Sequence, residues 1–336
     1  MLGMRVLMQN RSNVHRVIAG DTIQMTKTRE YLLSLGVEVD LLTEEVTDFS
    51  RYDLVHLFNI IPIEETYRFY IQAKKKGIPI VLSPIYWDPM EFLANTNSRR
   101  KESFQIWWKK TNHLRQEILD GVDLLLPNGV REYQLLVDKF HIITPYRIIP
   151  NGVDPIFYYA RPDKFINRYA LKNFILCVGR VCRRKNQMAL INALKGLDKM
   201  LVIIGPINDY QYYQECRRAG EGKVKFIGPL AQNWIASAYA ACDLHALVSW
   251  YDTPGLVNLE AALAGCKIVT TNRGTAYEYL EDMAWYSSPN SDSIRLAVQK
   301  ALYNPANPYL REHVFSNFTW DKVAVLTYRA YQEILD

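Results

Sequence analysis

Short apolar runs recur along the chain, separated by longer stretches in which apolar residues return every three or four positions. That alternation predicts strands and helices in turn, the pattern of a parallel sheet covered on both faces. In the first half it places strands at Met4 to Met8, Val37 to Leu42, Leu54 to Phe58, Ile78 to Leu82 and Val122 to Leu126. A helix runs from Thr22 to Leu35 and stops at Gly36. A second series gives strands at Phe174 to Val178, Met200 to Ile204, Val224 to Ile227, Leu244 to Val248 and Lys267 to Thr271. Its helices fall at 187–195, 210–219, 232–241, 255–264 and 291–302. Between the two series IIPNGVDP is rich in turn formers, and Tyr158 to Lys172 is polar and irregular, which reads as an interdomain linker. The expected fold class is α/β, with two Rossmann-like doubly wound parallel-sheet domains at 1–155 and 156–315. Residues 316–336 hold a final amphipathic helix, Trp320 to Leu335, expected to pack back on the first domain though open to either.

Length agrees with this division, since 336 residues exceed one typical core and suit two. The net charge of +5 is local, +1 over residues 1–165 and +4 over 166–336, which argues against a nucleic-acid partner. Five cysteines, Cys177, Cys182, Cys216, Cys242 and Cys266, are odd in number and without CxxC spacing. They read as reduced thiols with neither zinc nor disulfides. No apolar run approaches bilayer length and the start MLGMRVLMQN reads as a first strand, so a cytoplasmic location is expected.

The most informative stretch is SWYDTPGLVNLEAALAG, from Ser249 to Gly265. It reads as a strand end, a Pro/Gly loop and a helix starting near Gly255, because Leu256, Leu259, Leu263 and Ala264 keep a helical period. The backbone N–H groups of Gly255, Leu256 and Val257 would then face outward at a helix N-terminus, where the macrodipole also favours an anion. Asp252 and Glu260 bracket this position; neither favours a phosphate by charge, so both suit acceptance of hydrogen bonds from hydroxyls. A phosphate flanked by hydroxyl-reading acids describes a sugar nucleotide. The plainer reading, a buried strand, loop and helix whose acids only cap or meet solvent, is equally open from this stretch alone.

Other loops add candidates at the carboxyl ends of predicted strands, where open α/β sheets place ligands. GRVCRRKN brings Arg180, Arg183, Arg184 and Lys185 to one strand end, and forked and point cations both suit a diphosphate. Gly228-Pro229-Leu230 and Gly205-Pro206 would offer flat backbone to a base. In the first half, Gly20 lets a ligand approach the backbone and Asp21 reads equally as a helix cap. His56 and Asn59 follow the third strand; Tyr86, Trp87 and Asp88 follow the fourth and suit sugar recognition, or belong to the core. Residues 99–118 mix six Lys and Arg residues with Phe104, Ile106, Trp107 and Trp108. They fit a peripheral contact at the inner face of a membrane, or a surface helix whose aromatic stripe is buried.

The set IPNGVD (149–154), VGR…RKN (178–186), Asp252 through Glu260 leading into LEAALAG, and RGTAYEYL (273–280) resembles glycosyltransferase family 4, as does GDTIQ (20–24). The resemblance covers nearly the whole chain. It implies a GT-B fold with two domains facing across a cleft, closure about residues 150–172, and a retaining transfer of sugar from a nucleoside diphosphate, UDP by default, to a glycan or lipid-linked acceptor. Carried over, Arg180 and Lys185 hold the donor diphosphate, with Asp252 completing the catalytic set. Gly255, Leu256 and Val257 contact phosphate and sugar, Glu260 binds the ribose, and Gly20, Gly228 and Leu230 line the donor. The acceptor side falls to His56, Asn59, Tyr86, Trp87 and Asp88. No metal or other cofactor is implied. Two departures stand out: Asp252 replaces the family's first Glu, one methylene shorter, and VLSPIYWD lacks the His that many members carry. A sugar-nucleotide 2-epimerase and a non-catalytic sugar-nucleotide binder remain alternatives.

Overall fold

The computed structural model describes residues 3–14, 19–96, 101–253 and 255–336. In chain order these form β1 (Arg5–Gln9), α1 (Gly20–Ser34), β2 (Glu38–Leu42), β3 (Leu54–Phe58), α2 (Ile63–Lys76), β4 (Ile80–Ser83), α3 (Met90–Ala94), α4 (Lys101–Lys110), α5 (Asn112–Gly121), β5 (Leu124–Leu125) and α6 (Val130–Phe140). There follow α7 (Asp163–Tyr169), β6 (Ile175–Val178), α8 (Gln187–Ala193), β7 (Leu201–Ile204), α9 (Tyr210–Ala219), β8 (Val224–Ile227), α10 (Gln232–Ala241), β9 (Leu244–Leu247), α11 (Leu256–Leu263), β10 (Lys267–Thr271), α12 (Ala276–Leu280), β11 (Trp285–Ser287), α13 (Ser291–Tyr303), α14 (Leu310–Asn317) and α15 (Trp320–Leu335). Short 3-10 turns cover Pro155–Tyr159, Arg183–Lys185 and Glu281–Met283. None of the described helices is long and apolar enough to cross a membrane.

Contacts divide the chain into two compact units, Met1–Gly152 with Trp320–Asp336, and Val153–Thr319. The first holds a parallel sheet ordered β2-β1-β3-β4-β5. Strand order reverses between β1 and β3, the switch point at which such sheets open a crevice beyond their carboxyl ends. β3 and β4 are buried at every residue, as strands covered on both faces must be. The final helix lies in this unit against α1. There the Tyr331 hydroxyl sits 2.6 Å from Nδ1 of His56.

The second unit holds a parallel sheet ordered β11-β10-β9-β6-β7-β8. Its switch point lies between β6 and β9, so the loops after those two strands flank the crevice. β11 escapes the apolar pattern because it is a three-residue edge strand, Trp285 to Ser287.

The segment expected to be a linker is corrected by the structure. Residues 155–159 form a 3-10 turn opened by Asp154, whose side chain accepts from the Ile156 N–H, and 163–169 form α7. Phe157 and Phe165 are buried in the core of the second unit with Phe174, Tyr239 and Leu259. Two aromatic anchors outweigh the polar residues around them, so this stretch is part of a folded unit.

Burial of that ring gives a direct check. Phe165→Ala should lower unfolding free energy by about 3–5 kcal/mol in urea denaturation, whereas a residue in a true linker would change it by less than about 0.5 kcal/mol.

Candidate active site

In the second unit the loop after β6 and the loop after β9 are stitched together across the switch point. Trp250 N–H donates to the Arg184 carbonyl at 3.0 Å, and Arg184 Nη1 returns a bond to the Tyr251 carbonyl at 2.7 Å. Asn186 Nδ2 donates to the carbonyls of Val248 at 3.1 Å and Pro289 at 2.8 Å. Asn186 ends the Arg183–Lys185 turn in the left-handed region, φ 59°, a conformation Asn tolerates better than most residues. The chain reverses there, which sets the Lys185 ammonium on Asp252 while Asn186 ties the turn to the ends of β9 and β11.

At the centre of the seam Lys185 Nζ lies 2.8 and 2.9 Å from the two carboxylate oxygens of Asp252. Arg184 Nη1 approaches Asp252 Oδ1 at 3.4 Å. Asp252 is 7% exposed. Burial pushes its carboxyl up, but Lys185 and Arg184 outweigh that and hold it below the usual carboxylate range. Backbone on the far side completes the loop: Asp252 bridges Gly274, and its carbonyl accepts from Thr275 N–H at 3.3 Å. Gly274 has φ 88°, and a Cβ there would stand 1.9 Å from the Asp252 carbonyl oxygen, so only glycine fits.

α11 begins directly after this loop. Gly255 occupies its N-cap with φ 82°, and a Cβ would meet Leu247 Cδ2 at 2.5 Å. The first-turn amides of Leu256 and Val257 have no intrahelical acceptor to bond, as at any helix start. Glu260 lies in the second turn of this helix. Its environment differs from that of Asp252. Burial pushes its carboxyl up to about 7, a hydrogen bond from Tyr239 opposes the rise, and Asp154 adds to it. Tyr239, on α10, carries no motif signal and was not anticipated from the sequence; its hydroxyl lies 3.2 Å from Glu260 Oε2.

The basic loop separates into two groups. Arg183 turns away, paired with Asp209 at 3.5 Å and Glu215 at 2.9 Å. Arg184 and Lys185 face Asp252, and Arg180 stands between β6 and the turn, its carbonyl accepting from Gln187 Nε2. Gly228 and Leu230 follow β8, the edge strand two positions out from the switch point. Gly228 is exposed and Leu230 half-buried against the core.

In the first unit, several expected acceptor-side residues are corrected. His56 lies inside β3 and is buried, its Nε2 2.9 Å from Ser83 Oγ and its Nδ1 on Tyr331, so both ring nitrogens are used inside the fold. Tyr86 is fully buried against Trp108 and Phe140. Trp87 packs on Phe92 and stays half-buried. Asp88 accepts from Met90 N–H and pairs with Lys139 at 3.2 Å. Asp21 is not a cap: the N-cap of α1 is Ala19, and the Asp21 carboxylate takes a two-pronged ion pair from Arg11 at 2.9 and 3.1 Å. Asn59 Nδ2 adds a bond to the same carboxylate at 3.0 Å. Burial raises the Asp21 carboxyl while Arg11 and Asn59 bring it below the usual range. Gly20, beside it, is exposed, with open space where a Cβ would lie.

Residues 99 and 100 lie outside the described residues. From Lys101 onward the aromatic stripe is used internally. Trp108 is buried, Phe104 and Trp107 pack on the same core, and Ile106 alone of the four faces solvent. The fully buried Arg115 stacks its guanidinium 3.9 Å from the Trp108 ring centroid and donates to the carbonyls of Ile60 and Ile61. Of the three rings, Trp108 is committed to the core, and Phe104 and Trp107 lie half-buried against it.

Breaking the buried pair on one side leaves an uncompensated charge. Asp252→Asn should cost about 3–5 kcal/mol, while Lys185→Met with Asp252→Leu should recover most of it. Because the folded carboxyl of Asp252 lies below its unfolded value, the pair's stabilisation is complete above about pH 4 and disappears as pH falls through the lower folded value. Urea midpoints across pH for the three proteins check both statements.

The family model described as glycosyl transferases group 1 matches residues 162–316. The chain spans about half the length of the curated relatives it first matches. The D-inositol 3-phosphate glycosyltransferase of Corynebacterium jeikeium is 28% identical over 204 residues, 54% of this chain and 47% of that one. Among solved structures, sucrose-phosphate synthase from Thermosynechococcus elongatus superposes with TM-score 0.82 at 17% identity, over 98% of this chain and 99% of that one. Anabaena HepE, in complex with UDP and glucose, gives 0.71 at 18% identity, over 98% and 100%. The chain therefore has the GT-B fold of these glycosyltransferase structures, and residues 162–316, within its second unit, match the glycosyl transferases group 1 family model.

Proposed function

We propose that the chain is a retaining glycosyltransferase that moves a sugar from a nucleoside diphosphate, UDP first among the candidates, to a hydroxyl of a glycan or lipid-linked acceptor without a metal ion. The observation that carries this reading is the Lys185–Asp252 pair at the switch point of the second sheet, immediately ahead of the α11 N-terminus. Arg184 and Lys185 both face Asp252, and Arg180 belongs to the same loop. Two cations on one carboxylate suit a diphosphate, and the α11 amides add donors aimed at an anion.

As the glycosidic bond breaks, negative charge collects on the leaving diphosphate and positive charge on the sugar. Fixed cations and helix amides stabilise the first without reorganising, which is where most of the rate enhancement of such a site would arise. Asp252 has two tasks in this scheme: it holds Lys185 in place, and it stands near the donor sugar to accept a hydroxyl. Glu260 accepts the ribose hydroxyls. Retention follows if the acceptor attacks from the face the diphosphate leaves, its proton passing to a phosphate oxygen. Support for UDP comes from the HepE complex, and support for a hydroxyl acceptor from the names of the relatives.

Two measurements test the proposal. In a thermal-shift panel of UDP, GDP, ADP, CMP and TDP and their sugars, one base should stand out with and without EDTA. A ligand at 100 times its Kd adds about 2.7 kcal/mol; no shift with any nucleotide would sink the reading. In a turnover assay with the donor so identified, Lys185→Ala should lower kcat by about 10²–10³. An epimerase of the same fold would instead convert the donor with no acceptor present.

A further inference from the structure

Tyr239 and Glu260 present a count of hydrogens that does not close for an ionised carboxylate. The Tyr239 hydroxyl lies 3.1 Å from the Val257 carbonyl oxygen and 3.2 Å from Glu260 Oε2. A hydroxyl has one hydrogen to donate, and both of these oxygens are acceptors when Glu260 is ionised. If Glu260 is protonated, its O–H donates to the tyrosine oxygen, the tyrosine O–H donates to Val257, and every group is served. We propose that Tyr239 is a positioning residue whose hydroxyl hydrogen passes from the Val257 carbonyl to the Glu260 carboxylate when a nucleoside-diphosphate sugar binds, and that binding expels one proton from Glu260 to solvent.

This rests on the reading above in which Glu260 accepts the ribose hydroxyls. Hydroxyls donating to a carboxylate favour its charged form, so the ligand and the proton compete for one group. Among the described residues, Tyr239 and Asp154 are the side chains that act on the Glu260 charge. Of the titratable side chains on elements packed around α11, Asp154 ahead of the 3-10 turn acts on Glu260 and favours the neutral form. On α14, Arg311 and Glu312 are bonded to Tyr158, and His313 to the Tyr279 carbonyl. On β9, His245 is buried edge-on to Tyr239, and on β10, Lys267 is bonded to the carbonyls of Leu302 and Asn304. Cys242 and Cys266 donate to the Tyr239 backbone carbonyl, which fixes the ring's base and leaves its hydroxyl to choose. Burial, which brings the Glu260 carboxyl up to about 7, puts the competition near neutral pH.

Calorimetric titration of the full chain with UDP-glucose, GDP-mannose and ADP-glucose, in paired buffers of different ionisation enthalpy, reads the proton directly. These donors carry esterified phosphates of fixed charge, so a released proton comes from the protein. Near pH 6 the bound donor should release close to one proton and bind about tenfold more weakly than near pH 8.5, where release should vanish. Tyr239→Phe should move the midpoint of this profile up by about one to two pH units and leave the alkaline plateau in place. A merely structural role would lower affinity at every pH. Glu260→Gln should bind weakly with no pH dependence and no proton release. As an arm independent of the donor and of the folding of Tyr239→Phe, the infrared difference spectrum of wild type minus Glu260→Gln should show a protonated carboxyl band lost as pH rises through about 7. Loss of that band near pH 4, or donor binding without proton release, overturns the inference alone. Failure of every donor to bind at any pH overturns the function on which it rests.

Discussion

Two charges held nearly out of water, on loops 67 residues apart in sequence, set the shape of the second unit's crevice. An isolated buried lysine or aspartate is expensive, and each is tolerable here only because the other stands within 3 Å. The pair therefore fixes the loop after β6 against the loop after β9. The rest of the seam serves the same end: Asn186 bonding across to Val248 and Pro289, Trp250 N–H donating to the Arg184 carbonyl while the Arg184 side chain donates to the Tyr251 carbonyl, and Gly274 letting the Asp252 backbone come close. With those loops fixed, the amino end of α11 is fixed as well.

The two sheets solve a common problem differently. In each, polar side chains gather where strand order reverses, because that is where neighbouring loops part and leave the backbone open. In the first unit the gathered set, Arg11, Asp21 and Asn59, closes on itself through a two-pronged ion pair and an amide bond. In the second, Lys185 and Arg184 both stand on the one carboxylate of Asp252. Fold alone would not separate these two places; their charge counts do.

The carboxylates on either side of the α11 N-terminus show how position sets chemistry within one loop and helix. Asp252 is surrounded by cations and stays ionised below the ordinary range. Glu260 has one tyrosine hydroxyl as its hydrogen-bond donor among the described residues, and another acid nearby, and is pushed to about 7. Their shared spacing in sequence conceals opposite electrostatic surroundings.

The period of apolar residues sufficed for most of the parallel strands and for helices such as 210–219 and 320–335, because buried strands and amphipathic helices impose their own spacing on a sequence. Glycines at 255 and 274, the RKN turn and the Asp252-to-Glu260 spacing were legible for a similar reason: backbone strain, close approach and helix geometry each admit few residue types. What the sequence could not reveal was which partner a side chain would find. His56, Tyr86 and Trp108 have the polarity of binding residues and are consumed by the core, and the polar run after 155 conceals two buried phenylalanines. Arg11 and Tyr239 carry no motif, and acquire their roles only from residues 10 and 21 positions away. Local pattern determines an element because its periodicity is set by the backbone. Burial and charge pairing depend on what the tertiary structure brings alongside, and the tertiary structure alone decided them.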